Sequence, residues 1–128
     1  MKKRRQDLRV AKNSGKKEGY IPQRGDIVWL DFDPSQGKEI KKTRPALIIS
    51  PLNYNQKVGL ALICPIISHI KGYPFEVALL SQNIKGVVLA DHIKSLAWKA
   101  RHITFEEQAS VDVMREVTEK HLLLIEGF

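Results

Sequence analysis

Cysteine is almost missing from this chain of 128 residues: Cys64 stands alone, so no disulfide can form within the chain and a reducing, cytoplasmic setting is expected. No apolar stretch approaches the ~20 residues of a membrane span. The N-terminus is basic with no apolar run behind it, which does not read as a secretory leader. His92, His102 and His121 show no metal-ligand spacing with one another or with Cys64, so no zinc site is expected. Internal repeats are absent, and low-complexity tracts are absent beyond the first residues. Acidic excess is absent too, and the net charge of +7 is unevenly spread. Residues 1–18 hold eight Lys/Arg against two acids, whereas the 110 residues that follow hold thirteen against twelve. The domain is therefore close to neutral, and the basicity belongs to an arm. Such an arm binds nucleic acid through charge or serves as a disordered, solubilising leader.

What is present points to one domain, long enough to bury a core without staples. Residues 1–19 are expected to be a basic, disordered arm with a transient helix near Gln6–Ala11, and residues 20–128 the domain. Pro22 and Gly25 punctuate the entry. Asp26–Phe32 is rich in strand formers. Asp33-Pro34-Ser35-Gln36-Gly37 has turn composition and opens a polar loop to Thr43, long enough for a lid or binding loop. Further strands are expected at Pro45–Ser50, Gly59–Ile67, Phe75–Leu80, Gly86–Ala90 and His92–Trp98, with Lys99–Phe105 continuing into another. Pro65 suits a strand end or an edge. Residues 51–55 read as a connection with a short 3-10 turn.

The one helix signal comes last. Val111, Met114, Val117 or Thr118, His121 or Leu122, and Ile125 follow the 3.6-residue period, behind a Ser110 N-cap and with Asp112 in the first turn. Thr104–Glu107 has the form of a capping box, but no apolar stripe follows it until Val111. Short strands, then a helix, predict a small curled β-barrel with a helix packed on it.

The chain is organised around Lys41–Pro51. Three basic residues precede an apolar run, and Pro45 biases Arg44 away from helical backbone. An arginine at the mouth of a strand can hold phosphate with its planar fork of donors, or it can belong to a solvated charge cluster.

Six segments, in order, resemble one family. They are Gly-Asp-Ile-Val-Trp-Leu-Asp-Phe-Asp-Pro (25–34), Thr-Arg-Pro-Ala-Leu-Ile-Ile-Ser-Pro (43–51), Tyr-Asn (54–55), Lys-Gly-Tyr-Pro-Phe-Glu-Val (71–77), Gly-Val-Val-Leu-Ala-Asp (86–91) and Lys-Ser-Leu-Ala-Trp-Lys-Ala-Arg (94–101). They are similar to the MazF/PemK toxins, the endoribonucleases of bacterial type II toxin–antitoxin pairs. The likeness covers about residues 20–126 and leaves the arm outside. It implies a mainly β fold with helices, an SH3-like small β-barrel with a C-terminal helix, and a homodimer. It implies sequence-specific, metal-independent cleavage of single-stranded mRNA, with no cofactor, leaving 2′,3′-cyclic phosphate and 5′-OH ends. An acidic, MazE-like antitoxin is the implied protein partner, with operator DNA reached through the antitoxin complex; no membrane partner is implied.

The resemblance also assigns roles. Arg44 matches the family's catalytic arginine, suited to stabilising a crowded phosphorane because it stays charged and bonds two oxygens. The family has a threonine after the strand-three proline; here Ile67 holds that position and has no hydroxyl, while Ser68 follows it and could supply one if the loop turns there. Glu39, at a family position linked to activity, is a base or a partner that orients Arg44. His69 is a general-base candidate or an exposed loop histidine. Lys38, Lys41, Lys42, Lys71 and Lys94 are expected along a phosphate-tracking groove with Ser95, and Phe32 or Tyr73 to stack a base. Trp29 and Trp98 read as packing, Asp31 and Asp33 as strand-end and turn residues, and Lys71–Phe75 as a structural turn. Because Ile67 lacks the donor, the alternative is an impaired or inactive member that binds antitoxin and co-regulates transcription. An unrelated SH3-like peptide-binding barrel is a third reading.

Overall fold

The computed structural model describes residues 19–32 and 43–128. The expected arm up to residue 18, its helix near Gln6–Ala11, and loop residues 33–42 lie outside the described residues. The elements are β1 (Asp26–Asp31), β2 (Thr43–Ile48), α1 (Leu52–Val58), β3 (Ala61–Ile67), β4 (Glu76–Ala78), β5 (Val87–Leu89), β6 (Lys94–Leu96), a 3-10 helix (Trp98–Arg101), β7 (Thr104–Gln108) and α2 (Val111–Glu126). The fold is mainly β with a C-terminal helix, as the sequence predicts. Every ladder is antiparallel. The strand order is β4-β5-β3-β2-β1-β7, with β6 pairing β3 off that path.

Strand β3 pairs with β6 through Ala61–Ile63 and with β5 through Ile66–Ile67. Pro65 sits between those two stretches, opposite Ala46 of β2. It is therefore inside a strand, not at its end. The missing N–H is tolerated because β3 changes partners at that point on its other edge.

Alternate residues of β1, β2 and β3 feed two cores. Ile27, Leu47, Cys64 and Ile66 pack with Val77, Val88, Val113 and Val117 beneath α2. Val28, Leu30, Ala46, Ile48 and Ile63 pack with Leu96, Trp98 and Ile103 on the other side. Burial on both faces explains why these strands read as unbroken apolar runs. Each fully buried Ile, Leu or Val contributes about 1.5–3 kcal/mol relative to an exposed one.

Helix α1 replaces the expected connection. Its sequence, Leu-Asn-Tyr-Asn-Gln-Lys-Val, buries one residue, Asn55, so there is no apolar stripe to detect. Asn55 accepts from Ser50 Oγ at 2.5 Å and donates to the carbonyls of Pro22 (2.8 Å) and Ser50 (3.0 Å). The helix stops at Gly59, whose φ of +82° suits a residue without Cβ. In α2 the Ser110 hydroxyl accepts from Val113 N–H, as its capping role predicts. The buried stripe, however, is Val113–Val117–His121 with Met114 beside it, while Val111 and Ile125 are exposed. Thr104–Glu107 is strand, because Phe105 turns into the second core instead of starting a helix. The 3-10 helix interrupts the strand expected through Lys99–Phe105.

Candidate functional site

The β1–β2 register sets Leu30 opposite Arg44 and Trp29 opposite Pro45. The β2–β3 register, carried on from Ala46↔Pro65, sets Arg44 opposite Ile67. Arg44 thus stands at the mouth of β2 beside the outgoing end of β3. A groove of about 430 Å³ opens there. Trp29 comes from β1, Arg44 and Pro45 from β2, Ile66 through His69 from the end of β3, and Asn83 through Lys85 from the segment before β5.

Arg44 is exposed, and no described residue forms a hydrogen bond or ion pair with its guanidinium. Ser68 and His69 are exposed and Ile67 is half-buried. The wall opposite Arg44 is fixed. Trp29 Nε1 donates to Glu106 Oε1 at 3.0 Å, and Asn83 Nδ2 donates to Glu107 Oε1 at 2.6 Å. Gly86 has φ +142°, and a Cβ on it would stand 2.1 Å from the Ile67 carbonyl oxygen. Only glycine lets the chain before β5 lie this close against Ile67 and Ser68. A guanidinium without a partner among the described residues, a hydroxyl and an imidazole around one open groove are groups able to hold a phosphate anion.

Other expected site residues fall elsewhere. Phe32 is half-buried against the second core, and its carbonyl accepts from Arg101 Nη1 at 2.7 Å, so it packs as core residues do. Lys71 is exposed in a turn held by Glu76, whose carboxylate accepts from the N–H groups of Lys71 (3.1 Å) and Gly72 (3.0 Å). Tyr73 donates to Asp91 Oδ2 at 2.7 Å, and this bond holds its hydroxyl above the ordinary tyrosine range. Lys94 and Ser95 are exposed on β6 opposite Ile63 and Leu62. At ~3.3 Å per residue those partners are about 13 Å and about 17 Å along β3 from Ile67, and neither Lys94 nor Ser95 lines the groove. Glu39, Lys38, Lys41, Lys42 and Asp33 lie outside the described residues.

Asn83 and Lys85 are groove residues that sequence reasoning missed. The one local signal was Gly86, since a glycine before a strand can mark a close backbone approach. Trp29 packs on the first core and also lines the groove. Cys64 is no nucleophile: burial, with the Asp91 charge adding, pushes its thiol up to about 12. Among the described residues, no three His, Cys, Asp or Glu side chains gather as a metal site.

The sequence profile of the PemK-like, MazF-like toxin of type II toxin–antitoxin systems matches residues 23–124. The endoribonuclease toxin MazF of Escherichia coli (strain K12) is 43% identical over 106 residues, covering 83% of this chain and 96% of that protein. Among solved structures, MazF (Form-I) from Deinococcus radiodurans superposes with a TM-score of 0.74 at 45% identity, covering 84% of this chain and 98% of that one. MazE–MazF (Form-II) from the same organism gives 0.74 at 42% identity, covering 85% and 99%.

Proposed function

The chain belongs to the PemK-like, MazF-like toxin family of type II toxin–antitoxin systems, and on that premise we propose that it is an endoribonuclease cutting single-stranded RNA in the groove at Arg44. The observation that carries the reading is the exposed Arg44 guanidinium, without a partner among the described residues, sharing one groove with Ser68 and His69. In the proposed reaction the substrate's 2′ oxygen attacks the adjacent phosphorus, the 2′ proton leaves, the bond from phosphorus to the 5′ oxygen breaks, and that oxygen is protonated. The products carry a 2′,3′-cyclic phosphate and a 5′-OH. No cofactor enters this balance, and DNA, lacking the 2′-OH, is refused.

Arg44 stabilises the phosphorane, because its charge is permanent and two of its donors reach two oxygens at once. Ser68 takes the role of the hydroxyl donor that Ile67 lacks. Glu39 or His69 accepts the 2′ proton. Lys38, Lys41, Lys42, Lys71 and Lys94 track the backbone, and Lys85 joins them at the groove. The partner is an acidic, MazE-like antitoxin, by extension from the Deinococcus radiodurans MazE–MazF structure, and the protein acts as a cytoplasmic homodimer. Operator DNA is reached through the antitoxin.

A second reading rests on one residue. Ile67 lines the groove where the family resemblance puts a hydroxyl, and losing one such positioned donor costs about a hundredfold or more in rate. On that reading the chain binds antitoxin with little or no cleavage. The deciding experiment incubates purified protein with a long, weakly structured RNA in EDTA and maps cut sites and end chemistry, with Arg44→Ala alongside. Cuts ending in cyclic phosphate that vanish in the variant support the enzyme. Folded protein that binds antitoxin and leaves RNA intact supports the second reading.

A further inference from the structure

His102 is the one non-glycine residue with positive φ among the described residues, at φ +51° and ψ +47°. A histidine pays a steric cost in this left-handed backbone. The conformation aims its ring at a buried carboxylate: Nδ1 lies 2.9 Å from Asp31 Oδ2. Asp31 is 5% exposed, and its other oxygen, Oδ1, is buried with no hydrogen-bond partner. The histidine side chain is 72% exposed. Since a carboxylate accepts, Nδ1 carries the proton and Nε2 faces solvent. Neither residue lines the Arg44 groove.

Register places this pair beside that groove. Asp31 is opposite Thr43, the residue before Arg44. On the edge of β1 away from β2, the left-handed turn that leads into β7 brings His102 against Asp31. His102 and the start of β2 thus flank the end of β1.

Resting on the reading of the chain as an RNA-binding endoribonuclease, we propose that His102, oriented by Asp31, is a second phosphate contact, holding the RNA backbone beside the phosphate engaged by Arg44. A carboxylate with one hydrogen-bond partner and an orphaned oxygen gains from a protonated imidazole in front of it, and that imidazolium presents Nε2–H outward to an anion. The charged groups around the ring, among the described residues, are the Asp31 carboxylate from β1 and Arg101 from the 3-10 helix. The Arg101 guanidinium is committed to the Asp31 and Phe32 carbonyls at 3.0 and 2.7 Å. The neighbouring residues of β2 and β7, Thr43 and Thr104, carry no charge. A charged ring facing the backbone strengthens the contact, so RNA is bound more tightly at pH 5 than at pH 8.

The test measures binding of a 2′-fluoro RNA, which lacks the nucleophile and so cannot be cut, to the full chain between pH 5 and 8, with the His102 ring followed by NMR. RNA should shift the ring signals of His102. His102→Gly should bind about tenfold more weakly at low pH, lose the pH dependence, and show a salt slope shallower by about one. In cleavage it should raise KM and leave kcat unchanged. The same variant relieves the left-handed backbone but loses the ring's bond to Asp31, so its melting is measured alongside to confirm that it is folded. Asp31→Asn, with folding checked by melting, should also flatten the pH dependence. Parent-like, pH-dependent binding by folded His102→Gly would overturn the inference, as would a fall in kcat alone. Absence of RNA binding by the parent at every pH would instead overturn the endoribonuclease reading on which the inference rests.

Discussion

Replacing Gly86 by alanine tests whether the groove wall depends on backbone contact. The added Cβ would stand 2.1 Å from the Ile67 carbonyl oxygen and 2.9 Å from its carbonyl carbon. Even the weak C–H···O contacts of sheets sit at about 3.3–3.6 Å, so the two segments must part by more than about 1 Å. Both clashing atoms belong to the backbone, so no rotamer change relieves them. The end of the β3–β5 ladder, Ile67↔Val87, would open. Overpacking of this kind costs about 1–3 kcal/mol, and a Cβ at positive φ about 1–2 kcal/mol more. A total near ~3–4 kcal/mol lowers the melting temperature by about 10–15 °C. Gly72→Ala is the control: φ is +81°, but nothing lies within 4 Å of the new Cβ, so the backbone term acts alone. Thermal melts by circular dichroism compare the two variants. RNA cleavage, measured well below both midpoints, should fall by about a hundredfold in Gly86→Ala, because a shift near 1 Å misplaces Ser68. Equal melting of Gly86→Ala and Gly72→Ala would refute the argument that close approach to Ile67 shapes this wall.

Asn55→Ala strips three hydrogen bonds from a fully buried site and leaves the Pro22 and Ser50 carbonyls without that donor; urea unfolding should show a loss of about 2–4 kcal/mol. His121 is buried, and burial lowers its pKa from the ordinary histidine value, with Arg24 adding and the hydrogen bond to the Ala90 carbonyl (2.8 Å) opposing. Its neutral form is therefore the folded form: stability is full above about pH 6.5 and declines as pH falls below that, where the unfolded chain takes the proton first. Urea midpoints measured from pH 8 to 5 should show this decline, and His121→Gln should flatten it. Ile67→Thr should raise RNA cleavage by about a hundredfold if the missing hydroxyl limits the rate, whereas Ser68→Ala should abolish the parent's activity if Ser68 is the donor in use. A parent-like rate in both variants would remove position 67 and its neighbour from the chemistry.

The strands were legible because alternation acts within a few residues. In β1 and β3, β-branched and aromatic residues repeat whichever face is inward, and both faces are buried here. The C-terminal helix was legible from its period and from Ser110, although its buried face was misjudged by two residues at its start. Helix α1 was not legible, because a single buried asparagine holds it and no apolar stripe marks it. Arg44 and Ile67 were singled out by the family resemblance and Ser68 as the neighbour of Ile67, and the structure brings all three to one groove. Phe32 was read as a stacking residue from its type, and in the structure it is half-buried against the second core.

What the sequence determined by itself is local or compositional: the basic first 18 residues and the near-neutral remainder, the lone cysteine, the strand runs, the Ser110 cap, and the six segments that identify the family. What only the tertiary structure decided is which distant residues meet. Asn83 and Lys85 reach the Arg44 groove because β5 pairs with the end of β3. His102 meets Asp31 because β7 pairs with β1 across some seventy residues of chain. Local spacing carries the period of a strand or helix, since the forces behind it act over one or two turns. Cross-strand neighbours depend on register, and register is set by the burial pattern of the whole sheet.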